Sequence, residues 1–104
     1  MNKYRNKLEI IRDILTIAVE EGGTKKTRIM YGANLSYRLV TQYLDIIIKA
    51  GLLEYDGKSI YKITCKGKKF LGLYEIYEKK NEKLKIHLEE LENGREILTK
   101  MLNG

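Results

Sequence analysis

Apolar residues recur along this chain with three different spacings, and each change of spacing marks a new element. Leu8, Ile11, Leu15 and Ala18 form a helical stripe that Ile10, Ile14 and Ile17 widen, leaving Lys7, Arg12, Asp13, Thr16 and Glu20 on the other side. Gly22 and Gly23 end this first helix, and Thr24 is the expected N-cap of a short second one reaching Tyr31 or Gly32. Asn34 and Leu35 then make a tight turn. Ser36 caps a third helix that runs to Lys49 or Ala50, where Gly51 stops it. Its apolar face carries Val40, Tyr43, Leu44, Ile47 and Ile48, and its polar stripe carries Arg38, Thr41, Gln42, Asp45 and Lys49. Two helices joined by a short turn, the second with a polar stripe, make a helix-turn-helix pattern, although an amphipathic helix with one wet side would read the same way. Beyond it the spacing shortens. Residues 52–55 and 59–63 are β-forming runs on either side of Asp56-Gly57, a hairpin signal that puts Lys58 and Ser59 at the tip.

The last third of the chain reads in heptads. Phe70, Tyr77, Leu84, Leu91 and Leu98 fall seven apart, and Tyr74, Asn81, Leu88, Arg95 and Leu102 fill the positions four further on. A helix over residues 64–102 would be about 60 Å long at 1.5 Å per residue, more than the preceding segment can cover. It therefore requires a partner, most simply a second copy, meeting at Phe70, Tyr74, Tyr77, Asn81, Leu84, Leu88, Leu91 and Leu98. Asn81 in the seam is read as fixing register. Lys79, Lys80, Lys83 and Lys85 make the first half of the heptads basic, and Glu89, Glu90, Glu92 and Glu96 make the second half acidic, so antiparallel pairing sets opposite charges together. Gly94 and Arg95 predict a weak far end of the coil, glycine costing a helix about 1 kcal/mol relative to alanine. The expected fold is mainly α, with a small β-hairpin: a winged helix-turn-helix head over residues 1–63, then a long coiled-coil helix over residues 64–104.

Composition narrows the function. With 104 residues the chain holds one small core, and its net charge of +6 favours polyanionic partners. Neither a signal peptide nor a membrane span is read in it, which predicts a cytoplasmic protein. Cys65 is the single cysteine, so neither an internal disulfide nor a multi-cysteine metal site is expected. The lone His87 lies in the heptads, and no nucleophile–base pair, phosphate-cradling glycine loop or metal-ligand spacing occurs. No enzyme activity, metal, cofactor or small-molecule substrate is expected.

The run Leu8-Glu9-Ile10-Ile11, the eleven residues Thr27-Arg28-Ile29-Met30-Tyr31-Gly32-Ala33-Asn34-Leu35-Ser36-Tyr37, Tyr43-Leu44, and Tyr61-Lys62-Ile63-Thr64 before Lys66-Gly67 resemble the archaeal ten-kilodalton winged-helix DNA-binding proteins, the Sso-ten-a family. The resemblance covers nearly the whole chain. It implies a dimer joined through an antiparallel coiled coil of the last helices, with winged heads at the ends, in a chromatin-associated DNA binder.

The charges point toward phosphate independently of the resemblance. A helix start favours acidic side chains, yet Lys25, Lys26 and Arg28 crowd the start of the second helix, and Lys66, Lys68 and Lys69 crowd that of the long helix, which Thr64 caps. Free amides and lysines together form an anion site, although lysines can also swing into solvent. These six cations are the expected phosphate holders, while Ser36, Tyr37, Arg38, Thr41 and Gln42 face the major groove and Lys58 and Ser59 sit on the wing. One arginine and one glutamine make a thin code, so weak sequence preference is expected. Tyr37, Tyr55 and Tyr61 offer rings to single strands, but most tyrosines here read as core-edge residues. The expected function is an architectural, nucleoid-associated binder of double-stranded DNA acting as a homodimer. The alternatives are a sequence-specific regulator and a winged-helix protein-interaction module that ignores DNA.

Overall fold

The computed structural model describes residues 5–103; residues 1–4 and Gly104, the outer ends of the two expected stretches, lie outside the described residues. Helix α1 covers Lys7–Glu21. Asn6 caps it by accepting from the Glu9 N–H at 2.8 Å, and the Glu9 carboxylate accepts from the Asn6 N–H in return. Gly22, in the left-handed region at φ 64°, closes it. Helix α2 is short, Lys26–Gly32, and α3 covers Tyr37–Lys49, with the Ser36 hydroxyl accepting from the Leu39 N–H as its cap. The third helix's two faces separate as expected: Val40, Leu44 and Ile47 are buried, whereas Arg38, Thr41, Gln42, Asp45 and Lys49 are exposed.

The core joins Ile11, Ile14, Leu15 and Ala18 of α1 to Ile29, Ala33 and Leu35, to the buried face of α3, and to Leu52 and Leu53. Fully buried Ile14, Leu15, Ile29, Ile47 and Leu53 carry most of its hydrophobic stabilisation, at roughly 2–3 kcal/mol each. Arg5 fastens α1 to the turn before α3. Its guanidinium donates to the Ala33 carbonyl at 2.6 Å and pairs with Asp13, which also holds Arg12.

The hairpin consists of β1, Leu53–Tyr55, and β2, Tyr61–Ile63, paired antiparallel with Leu53 opposite Ile63 and Tyr55 opposite Tyr61. Both strands are shorter than the β-forming runs: Leu52 falls outside β1 because its N–H donates to the Ile47 carbonyl at the end of α3, and Ser59 and Ile60 fall outside β2 because Asp56 gathers the chain there. Its Oδ1 accepts from the N–H groups of Lys58, Ser59 and Ile60 at 2.8, 2.9 and 3.0 Å.

Thr24 departs from the sequence reading. It does not cap α2, whose N-cap is Lys25 with no side-chain cap bond among the described residues. Instead Thr24 is 4% exposed and bridges the wing: its N–H donates to the Tyr61 carbonyl at 2.9 Å, and the Tyr61 N–H donates to its carbonyl at 2.8 Å. A β-branched residue suits a buried strand position better than a solvated cap.

Helix α4 runs unbroken over Cys65–Leu102, through Gly94. Thr64 caps it, accepting from the Gly67 N–H at 3.0 Å while donating to the Gly51 carbonyl at 2.6 Å. Contacts divide the chain into a compact head through Leu73 and a second unit from Tyr74 onward. The head thus includes the first turns of α4, with Phe70 and Leu71 packed on its core. In the second unit Tyr77, Leu84, Leu88, Leu91 and Leu98 are more than half exposed. Tyr74 is already 8% exposed in the single chain, so the exposed stripe starts at Tyr77. Among the described residues no helix is long and apolar enough to cross a membrane.

Candidate nucleic-acid interface

The fold brings the start of α2, the start of α3 and the wing tip to one place. The bridge between Thr24 and Tyr61 fixes Lys25 and Lys26 beside the hairpin. A recess of about 280 Å³ opens there, walled by Lys25, Lys26 and Thr27 on one side and by Tyr55, Lys58, Ser59 and Tyr61 on the other. Three of those side chains are cationic and none is acidic, which makes the recess attractive to an anion. Lys26 is held rather than waving in solvent, because its ammonium lies 4.1 Å from the centre of the Tyr37 ring at the first turn of α3.

On α3 itself, several polar groups are partly spoken for. The Thr41 hydroxyl donates to the Tyr37 carbonyl at 2.8 Å, leaving its lone pairs for a ligand. Ser36 is the cap of α3, Arg38 and Gln42 are exposed, and Asp45 pairs with Lys49 at 3.0 Å, which offsets the repulsion it would otherwise exert on a phosphate. Arg28 is exposed on α2.

The lysines at the start of α4 belong to a different place. Lys66 donates to the Ala50 carbonyl at 2.7 Å, satisfying the last turn of α3, and Thr64 binds Gly51. This is the C-terminal end of α3, about 20 Å along a thirteen-residue helix from the cluster at Tyr37. Lys68 and Lys69 are exposed near it. The structure therefore sorts the expected phosphate holders into two groups rather than one. The role of Lys66 at α3 had no local signal, since its acceptor is sixteen residues away.

Asp56 sets the wing's shape and its response to acid. The three N–H donors hold its carboxyl below the ordinary carboxylate value, with Lys62 adding to the effect. A group whose folded pKa is depressed contributes above its unfolded pKa, and the contribution is lost as pH falls through the folded value. Acidification below about pH 4 is therefore expected to lower the protection of the Lys58, Ser59 and Ile60 amides, measured as exchange relative to the unprotected rate at the same pH, ahead of the core helices. Asp56→Ala should give that loss of protection at neutral pH, and protection that tracks the core in both cases would refute the assignment.

Comparison with known families agrees with this fold. The winged helix-turn-helix family matches residues 4–82. The chain belongs to that family. Within it, this winged-helix chain is 41% identical over 80 residues to an uncharacterised protein of Methanocaldococcus jannaschii, covering 76% of the chain and 80% of that protein. Among solved structures it superposes with a TM-score of 0.76 on the crystal structure of Sso10a-2, a DNA-binding protein from Sulfolobus solfataricus, at 34% identity over 86% of this chain and 95% of that one. The match to Sso10a-2 bears out the resemblance read from the run at residues 27–37.

Proposed function

We propose that the protein binds double-stranded DNA as a homodimer and acts as an architectural, nucleoid-associated component with weak sequence preference. One observation carries the reading: Lys25, Lys26 and Lys58 gather beside the first turn of a helix with an exposed polar face, in a chain that shares its fold with a DNA-binding protein at 34% identity over 86% of its length. In this reading Lys25, Lys26, Arg28 and Lys58 hold phosphates, Ser36, Tyr37, Arg38, Thr41 and Gln42 enter the major groove, and Ser59 rides with the wing. Lys66, Lys68 and Lys69 form a second contact beyond the far end of α3. Phosphate contacts dominate over base readout because only Arg38 and Gln42 can make bidentate hydrogen bonds to base edges.

The second unit supports pairing. Its exposed leucines lose about 25 cal/mol per Å² of stabilisation while they face water, and a second copy covering them from Tyr77 onward recovers it. The basic and acidic blocks of the heptads favour the antiparallel arrangement, with the coil formed by the part of the 64–104 stretch from Tyr77 onward and the heads built on the 1–63 stretch together with the first turns of α4.

A gel-shift series with random-sequence duplex tests the DNA reading. About four to six phosphate contacts per head predict a slope of log K against log salt of roughly −4 to −5 for each engaged head. Salt-independent affinity would exclude it, and preference for one site over random duplex by several orders of magnitude would favour a specific regulator. Sedimentation at micromolar concentration should show a dimer, and Leu84→Glu with Leu91→Glu should give a folded monomer.

A further inference from the structure

The recess between the wing and α2 contains more aromatic surface than duplex DNA can use. Tyr55 and Tyr61 lie with ring centres 4.6 Å apart, and the Tyr37 hydroxyl is near enough to act electrostatically on Tyr61. Tyr37 is 66% exposed and Tyr55 44% exposed, so these two are not the core-edge residues that their sequence context suggests. In a duplex every base face is covered by its neighbours, and a protein approaching from outside meets only edges, sugars and phosphates. The exposed Tyr55 ring beside lysines matches a base whose face is free. From its concave shape, its three ammonium groups, its two hydroxyls from Thr27 and Ser59, and these rings, we infer that the recess binds an unpaired nucleotide of single-stranded DNA, the base against Tyr55 and the phosphate on Lys25, Lys26 and Lys58.

Size and protonation agree. At about 280 Å³ the recess lies just under the roughly 300 Å³ at which ligand pockets begin, which limits it to one nucleotide and not a longer stacked run. Burial, then the neighbouring Tyr55 and Tyr37 hydroxyls, push the Tyr61 phenol above its ordinary value, so it stays neutral beside an incoming phosphate. The inference rests on the lysine cluster proposed for duplex binding and adds a second substrate class at the same place. An unpaired nucleotide bound there occupies Lys25, Lys26 and Lys58, so it competes with duplex for the same head.

The test compares fluorescently labelled oligothymidylate of twelve nucleotides with a mixed-sequence duplex of equal length, by anisotropy. Tyr55→Ile keeps a β-forming side chain and removes the ring; Tyr55→Phe keeps the ring. Tyr55→Ile is expected to weaken oligothymidylate binding about tenfold, within the range for loss of one stacked base, with Tyr55→Phe within about twofold of the parent and duplex affinity unchanged in both. The inference is overturned if the parent protein does not bind oligothymidylate, if Tyr55→Ile leaves its affinity unchanged, or if single-strand and duplex affinities fall together, which would make Tyr55 a wing-shaping residue. Duplex affinity absent from the parent while the oligothymidylate result holds would remove the duplex reading and leave this one standing.

Discussion

Replacing Lys25 and Lys26 together with glutamate is expected to lower affinity for random duplex by roughly sixtyfold at 0.1 M salt, from a loss of about 0.9 decade per phosphate contact with the extrapolated 1 M affinity held constant. The salt slope should flatten by about two units in the same titration. Reversing the charges adds repulsion, so sixtyfold is a lower figure. Stability should move the other way or not at all. Glutamate at a helix start is favoured by tenths of a kcal/mol, which offsets the lost contact between Lys26 and the Tyr37 ring. Loss of binding with an unchanged melting temperature thus assigns the lysines to the ligand and not to the fold. Retained affinity would mean that α2 holds no phosphate.

The largest effect on folding is expected at Gly67, in the first turn of α4. A Cβ there would run into the Leu52 carbonyl oxygen and the Ile63 side chain, both of which the hairpin holds in place. Thr64 donates to Gly51 and also receives the Gly67 N–H, so neither side of the contact can retreat without breaking a hydrogen bond. Gly67→Ala should therefore destabilise the head by about 3 kcal/mol, the upper range for an overpacked site, and lower its melting temperature by more than about 10 °C. Gly94, in the same helix, is the matched control. Nothing lies within 4 Å of a Cβ at that position, and Gly94→Ala should add about 1 kcal/mol to helix stability. Equal effects of the two substitutions in thermal melts would show that the close approach at Gly67 does not constrain the fold.

Much of the architecture was legible because it is written locally. The spacing of Leu8, Ile11, Leu15 and Ala18, the glycine stops, Ser36 as a cap and Asp56-Gly57 each act within a few residues, and the structure places an element at every one. The capping box of Asn6 and Glu9 was equally visible, as an Asn followed three residues later by Glu, and went unread. What escaped is non-local. Thr24 carries a side chain suited both to a cap and to a strand, and the choice is made by Tyr61, far along the chain. Arg5 reaches Ala33 across 28 residues and Lys66 reaches Ala50 across 16, so their roles as anchors of α2 and α3 have no periodic signature. The same is true of the candidate site. The two basic helix starts look equivalent in the sequence, and only folding separates the one beside Tyr37 from the one beyond Lys49.

The pair of hydrogen bonds between Thr24 and Tyr61 also has a kinetic meaning. It laces the hairpin to the segment that carries Lys25 and Lys26, so the cations and the wing form one stiff piece in the unbound molecule. Under the proposed function a polyanion arriving by diffusion meets a landing surface already assembled. Stopped-flow association is then expected to run at the rate of charged encounter, with no slower ordering phase after it.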